Sequence, residues 1–94
     1  MLGYLKANPN IVLREEFDDW ALLFDPDTGN TYALNPVGVI IWKHLTGERS
    51  VEEILRLVEE QVEGLTPDAS EHIREFMNSV HSLGLAEYVE RAPS

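Results

Sequence analysis

Carboxylates are the side chains through which this 94-residue sequence could most readily do chemistry, and four pairs of them are adjacent in the chain. The pairs are Glu15/Glu16, Asp18/Asp19, Glu52/Glu53 and Glu59/Glu60. Neighbouring residues point to different faces of a strand or helix, so a pair of this kind does not flank one substrate atom as paired acid–base catalysis requires. The pattern therefore indicates a solvated acidic surface.

A calcium site is suggested by the segment Asp25–Gly29 but is not supported by its surroundings. The segment begins like a calcium-binding loop. However, Asn30 stands where that loop needs glycine, and Pro36 stands where it needs the bidentate glutamate. We expect a turn here and no bound calcium.

The histidines do not form a metal clamp. His72 and His81 are nine residues apart on a predicted helix, whereas two ligands on one helical face are three or four residues apart. His72 with Asp68 or Glu75 could hold a metal weakly or move a proton, but this spacing is more typical of a surface helix pair. We expect no metal.

Nucleophilic catalysis also lacks its usual residues. The sequence contains no cysteine, which excludes thiolate nucleophiles, iron–sulfur clusters and disulfides. No serine lies in a Gly-x-Ser-x-Gly motif, and no glycine-rich loop is present to hold a phosphate. The sequence therefore predicts a protein that is not an enzyme and carries no cofactor.

Charge and length restrict the partners and the architecture. Seventeen acidic residues against seven basic ones give a net charge of −10, which repels nucleic-acid backbones and anionic membranes. The longest apolar stretch, Val39–Trp42, is far too short to span a membrane, and the N-terminus does not resemble a signal peptide. We expect a single cytoplasmic domain that binds neither nucleic acid nor membrane.

Hydrophobic periodicity predicts an α+β fold, because the period changes from about 2 to about 3.6 near Asn35. Three strands are predicted before this point, at Ile11–Phe17, Trp20–Phe24 and Thr31–Leu34. The second strand is apolar on both faces and should be central and the most buried, and the third should be a short edge strand. Asp18-Asp19 and Asp25–Asn30 are the predicted turns.

Three helices are predicted after Asn35, each with a recognisable start. Asn35-Pro36 begins the first, the capping box Ser50–Glu53 begins the second, and Thr66–Asp68 begins the third. One apolar face of the third helix carries Ala69, Ile73, Phe76, Met77, Val80 and Leu83. The resulting architecture is like a winged helix-turn-helix, with a flexible lead-in over residues 1–10, one domain over 11–89 and a frayed end over 90–94.

The winged-helix-like order of elements raises the alternative of a transcriptional regulator, which the charges oppose. Arg74 is the one firmly basic residue of the third helix, and Glu71 and Glu75 accompany it. The aromatic residues of the strands lack the neighbouring cations that a nucleobase platform needs, so core packing is the better interpretation for them. Protein or peptide recognition fits this architecture better.

The segment from Ala21 to Trp42 resembles the PqqD family, the small peptide chaperones also called RiPP recognition elements. The residues that match the family pattern are Tyr32, Leu34, Asn35, Gly38, Ile41, Trp42, Thr46-Gly47, Val51–Ile54 and Leu83–Leu85. The similarity runs from about Ile11 to Val89. It implies a three-stranded antiparallel sheet followed by three helices.

The resemblance implies a function as well. Such proteins bind the leader segment of a ribosomally made precursor peptide and present it to a modifying enzyme, often a radical S-adenosylmethionine protein, without being catalysts. The leader adds a strand to the sheet and lies between the third strand and the third helix. Carried over by position, the peptide-binding residues are Thr31, Tyr32, Ala33, Leu34, His72, Ile73, Arg74, Phe76, Met77 and Val80.

Alternatives remain open at this point. The apolar helix residues of this set are equally expected in the core, and His72 and Arg74 are assigned to reading charge on the leader. The exposed edge of the third strand could also pair with a second copy, which would give a homodimer. An adaptor that docks directly on a partner enzyme is the third functional alternative, beside the transcriptional regulator.

Overall fold

The structure, a computed structural model, describes residues 4–62 and 64–90. This part of the chain forms two three-stranded antiparallel sheets and three α-helices. The strands are β1 (Tyr4–Ala7), β2 (Val12–Glu15), β3 (Ala21–Phe24), β4 (Thr31–Leu34), β5 (Thr46–Ser50) and β6 (Ala86–Val89). The helices are α1 (Pro36–Lys43), α2 (Val51–Gln61) and α3 (Ala69–Ser82).

The first sheet is a meander in the order β2-β3-β4, with Leu23 of β3 opposite Leu13 and Tyr32. The predicted α+β order, a three-stranded antiparallel sheet followed by three helices, is confirmed. The connection between β2 and β3 differs from the predicted two-residue loop. Phe17–Asp19 form a 3₁₀ turn in which both aspartates have positive φ, a conformation that aspartate tolerates better than most residues. Phe17 consequently leaves the sheet and is exposed.

Strand β3 is central, as predicted, but it is buried on one face only. Ala21 and Leu23 point into the core. Phe24 keeps 41% of its surface exposed, and Trp20, which precedes the strand, keeps 48%. Strand β3 is nevertheless the most buried strand of this sheet, as predicted, because it has two buried residues whereas β4 has one and β2 has none.

The helix starts largely follow the sequence signals. Asn35 Oδ1 accepts a hydrogen bond from the Gly38 amide at 2.8 Å, and Ser50 and Glu53 form the predicted capping box. The start of α3 differs, because the Asp68 side chain makes no capping bond to the helix. Asp68 instead accepts a hydrogen bond from the Thr66 hydroxyl.

The second sheet, in the order β5-β1-β6, was not predicted. Its central strand is Tyr4–Ala7, where the sequence predicted a flexible lead-in, and the side chain of Leu5 is fully buried. The Ala7 amide donates to the Leu45 carbonyl at 2.8 Å, and the Asn8 amide donates to the Leu85 carbonyl at 2.9 Å. The other edge strand, β6, follows α3 at the end of the domain. Residues 1–3 and 91–94 of the predicted flexible ends lie outside the described residues.

Gly47 of β5 lies close to side chains of both other strands in the second sheet. It has φ +81, and a Cβ built on it would lie 3.1 Å from Val89 Cγ2 and 3.2 Å from Lys6 Cβ. We expect Gly47→Ala to lower the free energy of unfolding by about 1–3 kcal/mol, because the new methyl group adds backbone strain to steric crowding. Chemical denaturation measures this change. Gly29 is the control, because it also has positive φ but has open space around it, so Gly29→Ala should cost less.

Buried apolar side chains from both sheets and all three helices form one core. Its fully buried large side chains are Leu5, Leu23, Ile41, Ile54, Val58, Met77 and Leu85. Among the described residues, no helix is long and apolar enough to cross a membrane.

Candidate functional site

The outer edge of β4 carries backbone groups with no partner strand in the described part of the chain. The Asp25 amide donates to the Asn30 carbonyl at 2.9 Å, which sets the alternation of hydrogen-bonded pairs along β3 and β4. Tyr32 and Leu34 therefore direct their amides and carbonyls toward β3. Thr31 and Ala33 direct theirs away from the sheet, where another strand could bind them.

Helix α3 passes close to the end of β4 and the start of α1. A Cβ built on Gly38 would lie 3.3 Å from Phe76 Cε1 and 3.5 Å from Leu34 Cβ. Gly38 is buried and has no side chain, so the Phe76 ring approaches the backbone of α1 directly. The junction of β4, α1 and α3 is thereby fixed beside the free edge.

A cleft of about 290 Å³ opens at this junction, between α1 and the first half of α3. Its lining consists of Asn35, Val37, Gly38, Ile41, Gly64, Leu65, Thr66, Ala69, His72, Ile73 and Phe76. Most of these residues are apolar, and Asn35, Thr66 and His72 supply polar atoms. A cleft of this composition accepts apolar side chains and offers a few hydrogen bonds that orient them.

The structure divides the helix residues that were assigned to peptide binding. His72 is exposed and Phe76 is half-buried, and both line the cleft. Ile73 is buried but forms part of the cleft wall. Met77 and Val80 are core residues that do not line the cleft, as the alternative assignment allowed.

Arg74 is placed away from the cleft. It lies two residues after His72, on a different face of α3, and its guanidinium pairs with the Glu52 carboxylate at the start of α2. The structure therefore does not bring Arg74 together with His72 and Phe76.

Leu83 belongs to the apolar face predicted for the third helix, but the structure does not bury it. Its side chain is 52% exposed, one residue beyond the end of α3. Its backbone is still helical, and seven residues separate it from Phe76, which is nearly two complete turns. Leu83 thus extends the stripe of His72 and Phe76 along α3. That seven-residue spacing is the sequence signal that could have assigned Leu83 to this stripe.

A carboxylate, Asp68, lies beside His72, which lines the cleft. A hydrogen bond from the Thr66 hydroxyl lowers the pKa of the Asp68 carboxyl below its ordinary value, with further lowering from the Asp68 backbone amide and from His72. His72 Nε2 lies 3.5 Å from Asp68 Oδ2. A carboxylate therefore stays ionised beside the imidazole at neutral pH. No group of three or more metal-ligating side chains occurs among residues 4–62 and 64–90.

These features define a small α+β domain in which an unpaired sheet edge lies beside an apolar cleft. The family model described as Coenzyme PQQ synthesis protein D (PqqD) matches residues 21–86. The match covers more than half of the chain, so the chain belongs to the PqqD family, and the resemblance found in the sequence is confirmed.

Solved structures show the same fold. The structure titled "TbiB1 in Complex with the TbiA(beta) Leader Peptide" has a TM-score of 0.69 and 26% identity, over 87% of this chain and 94% of that one. "Lasso peptide synthetase B1 complexed with the leader peptide" has a TM-score of 0.69 and 22% identity, over 87% and 95%.

A third solved structure places the fold inside a larger protein. "Structure of the heterocyclase TruD" has a TM-score of 0.66 and 19% identity, and the alignment covers 98% of this chain but 12% of the heterocyclase. At this identity the likeness concerns the fold alone. No curated protein sequence matches the chain significantly.

Proposed function

We propose that this protein binds the leader segment of a ribosomally made precursor peptide by strand addition and presents it to a modifying enzyme. The observation that carries the proposal is the free edge of β4 beside the apolar cleft. Membership of the PqqD family supports it, as does the likeness to TbiB1, whose structure contains a leader peptide. The protein itself is not a catalyst, and it acts in the cytoplasm, where ribosomally made precursors arise.

Backbone hydrogen bonds supply the affinity in this proposal. The outward amides and carbonyls of Thr31 and Ala33 pair with the peptide, which extends the sheet by one strand. Tyr32 and Leu34 hold β4 in place from the core side. All four residues of the predicted strand therefore belong to the proposed site. Thr31 and Ala33 contact the peptide backbone, and the other two fix the position of β4.

Side-chain selection comes from the cleft and the stripe on α3. Alternate side chains of an added strand point to the same face, so every second leader residue faces α3. Phe76 and Ile73 offer an apolar wall there, and Leu83 offers a further apolar contact. Because the protein has a net charge of −10 and Asp68 lies beside His72 of the cleft, a leader with apolar anchors and a lysine or arginine fits better than an acidic one.

The test is an amide NMR titration with the leader peptide encoded beside this gene and, separately, with duplex DNA at low salt. We expect the peptide to shift the amides of Thr31, Ala33, His72 and Phe76, and DNA to shift none. If the peptide shifts no amide and DNA causes salt-sensitive shifts, the transcriptional regulator would replace this proposal. If neither ligand shifts an amide, the alternative of an adaptor that docks directly on an enzyme would remain.

We expect the modifying enzyme that receives the leader to be a radical S-adenosylmethionine protein.

A substitution at Leu83 tests whether the exposed stripe of α3 contacts the leader peptide. We expect Leu83→Ala to change the free energy of unfolding by less than about 1 kcal/mol, because half of the side chain is already in solvent. Leader affinity should fall about five-fold, as for loss of one apolar contact at a binding surface. Fluorescence anisotropy with a labelled leader measures it.

Val12→Ala is the matched control for Leu83→Ala. Val12 has the same exposed fraction, 52%, but lies on the face of the first sheet that points away from α3. It should leave leader affinity unchanged. Equal effects of the two substitutions would remove Leu83 from the proposed site.

A further inference from the structure

The face of the first sheet that points away from the helices, here called the outer face, is unusually apolar. Cross-strand pairing places six side chains on it: Val12, Arg14, Leu22, Phe24, Thr31 and Ala33. Four of the six are apolar, whereas the solvated face of an antiparallel sheet normally carries polar residues. Nothing in the described part of the chain covers this face.

Exposed large hydrophobic side chains concentrate around this face. Five such residues occur in the described chain, and Val12, Phe17, Trp20 and Phe24 all belong to β2, β3 or the turn between them. Trp20 has an extended backbone that continues the alternation of β3, so its side chain lies on the same side as Leu22 and Phe24. Tryptophan and phenylalanine at half exposure are typical anchors of a protein–protein interface.

Carboxylates surround the outer face. Between Val12 and Ala33 the chain carries six acidic residues and one basic residue. Glu15 lies on the core side, opposite Ala21, and its carboxylate pairs with Lys43 of α1. The other five are Glu16, Asp18 and Asp19 at one end of the sheet and Asp25 and Asp27 at the other. The single cation, Arg14, already lies 3.8 Å from the Glu16 carboxylate.

The carboxylates around the outer face, here called the acidic rim, disfavour a second copy of this chain as the partner and favour a basic one. A symmetric dimer through the outer face would set the same five carboxylates of two copies against each other, which is unfavourable in a molecule of net charge −10. A partner with an apolar centre and a rim of lysine and arginine would complement both features.

We propose that the outer face docks the peptide-modifying enzyme, through an enzyme surface with an apolar centre and a basic rim. In naming that enzyme as the occupant, this inference rests on the proposed function. The leader site lies at the β4 edge and at α3, on the core side of the sheet, so leader and enzyme occupy separate surfaces. Both can be bound at the same time.

The contribution of the apolar residues to enzyme docking is tested with the full chain and the modifying enzyme encoded beside this gene. Trp20→Thr/Phe24→Thr should weaken enzyme binding about 30-fold or more, because both changed residues are central aromatic anchors. Biolayer interferometry measures the enzyme Kd. Leader Kd, measured separately by fluorescence anisotropy, should stay within about two-fold of the wild type, which also shows that the variant is folded.

The electrostatic part is tested with a matched pair of charge changes. Glu16→Lys/Asp27→Lys alters the rim, and Glu59→Lys/Glu60→Lys makes the same change of charge on the exposed surface of α2. The rim variant should weaken enzyme binding about five-fold or more, mainly through the association rate, and the α2 variant should not. High salt should reduce the difference between them.

Three outcomes would overturn the docking surface. They are wild-type enzyme affinity in the aromatic variant, equal losses in the two charge variants, and conversion of a dimer to a monomer by the aromatic variant in sedimentation. The third would show that a second copy occupies the face. If the leader fails to bind while the enzyme still binds through the outer face, the docking inference stands and the peptide-binding proposal fails.

Discussion

Ala33→Pro is expected to abolish leader binding while the protein stays folded. The Ala33 amide points away from β3, so proline at this position removes a hydrogen-bond donor from the free edge and not from the existing ladder. The ring also projects into the space that the added strand occupies. We expect the leader Kd to rise about 30-fold or more, and the free energy of unfolding to fall by no more than about 2 kcal/mol. Fluorescence anisotropy and urea denaturation measure the two quantities.

Two further variants show whether the loss comes from the backbone. Ala33→Val keeps the amide and suits a strand, so it should retain leader affinity. Tyr32→Pro removes an amide that pairs with β3 and should destabilise the whole domain. Leader binding by folded Ala33→Pro with wild-type affinity would contradict strand addition at β4, and the peptide would then have to bind through the cleft alone.

The first sheet and the helix starts were predictable because their signals are local. Asn35 caps α1 through the amide three residues later, and Ser50 and Glu53 cap each other across the same spacing. The turn at Asp25–Asn30 likewise joins strands that are neighbours in sequence, so composition and periodicity sufficed. These elements also carry the free edge of β4, so the position of this edge could be predicted from the sequence.

The second sheet could not be predicted, because its pairing is not local. Tyr4 pairs with Ser50 on one side and with Val89 on the other, and each strand has only four or five residues. A four-residue strand shows too little alternation to be distinguished from an irregular segment. Only the contact between the beginning, middle and end of the chain gives residues 4–7 their structure.

The accessibility of the α3 residues assigned to the site could be predicted only in part, for a related reason. The apolar residues of α3 form a stripe wider than its buried contact, and spacing alone does not say which edge of the stripe is covered. Packing against α1 and the sheets buries Met77 and Val80 and leaves Phe76 and Leu83 accessible. The pairing of Arg74 with Glu52 could not be predicted from spacing along α3, because Glu52 belongs to another helix.

The non-local second sheet makes a strong prediction about the beginning of the chain. We expect Leu5→Ala to lower the free energy of unfolding by about 2–5 kcal/mol, the range for truncation of a fully buried leucine. Leu5 lies on the central strand of its sheet and packs in the common core, so the cavity would be enclosed by several elements. This loss is a large part of the stability of a small domain. Urea denaturation followed by circular dichroism measures it.

Lys6→Gln is the matched control, since Lys6 is the next residue along β1 but has an exposed side chain. Glutamine keeps the Cβ methylene that lies near Gly47, and the substitution should change stability by less than about 0.5 kcal/mol. If Leu5→Ala were as stable as the wild type, residues 4–7 would be the irregular lead-in that their sequence suggested. Because Leu5 does not line the cleft, the folded fraction of Leu5→Ala should bind leader with wild-type affinity, which separates the stability of the domain from its peptide site.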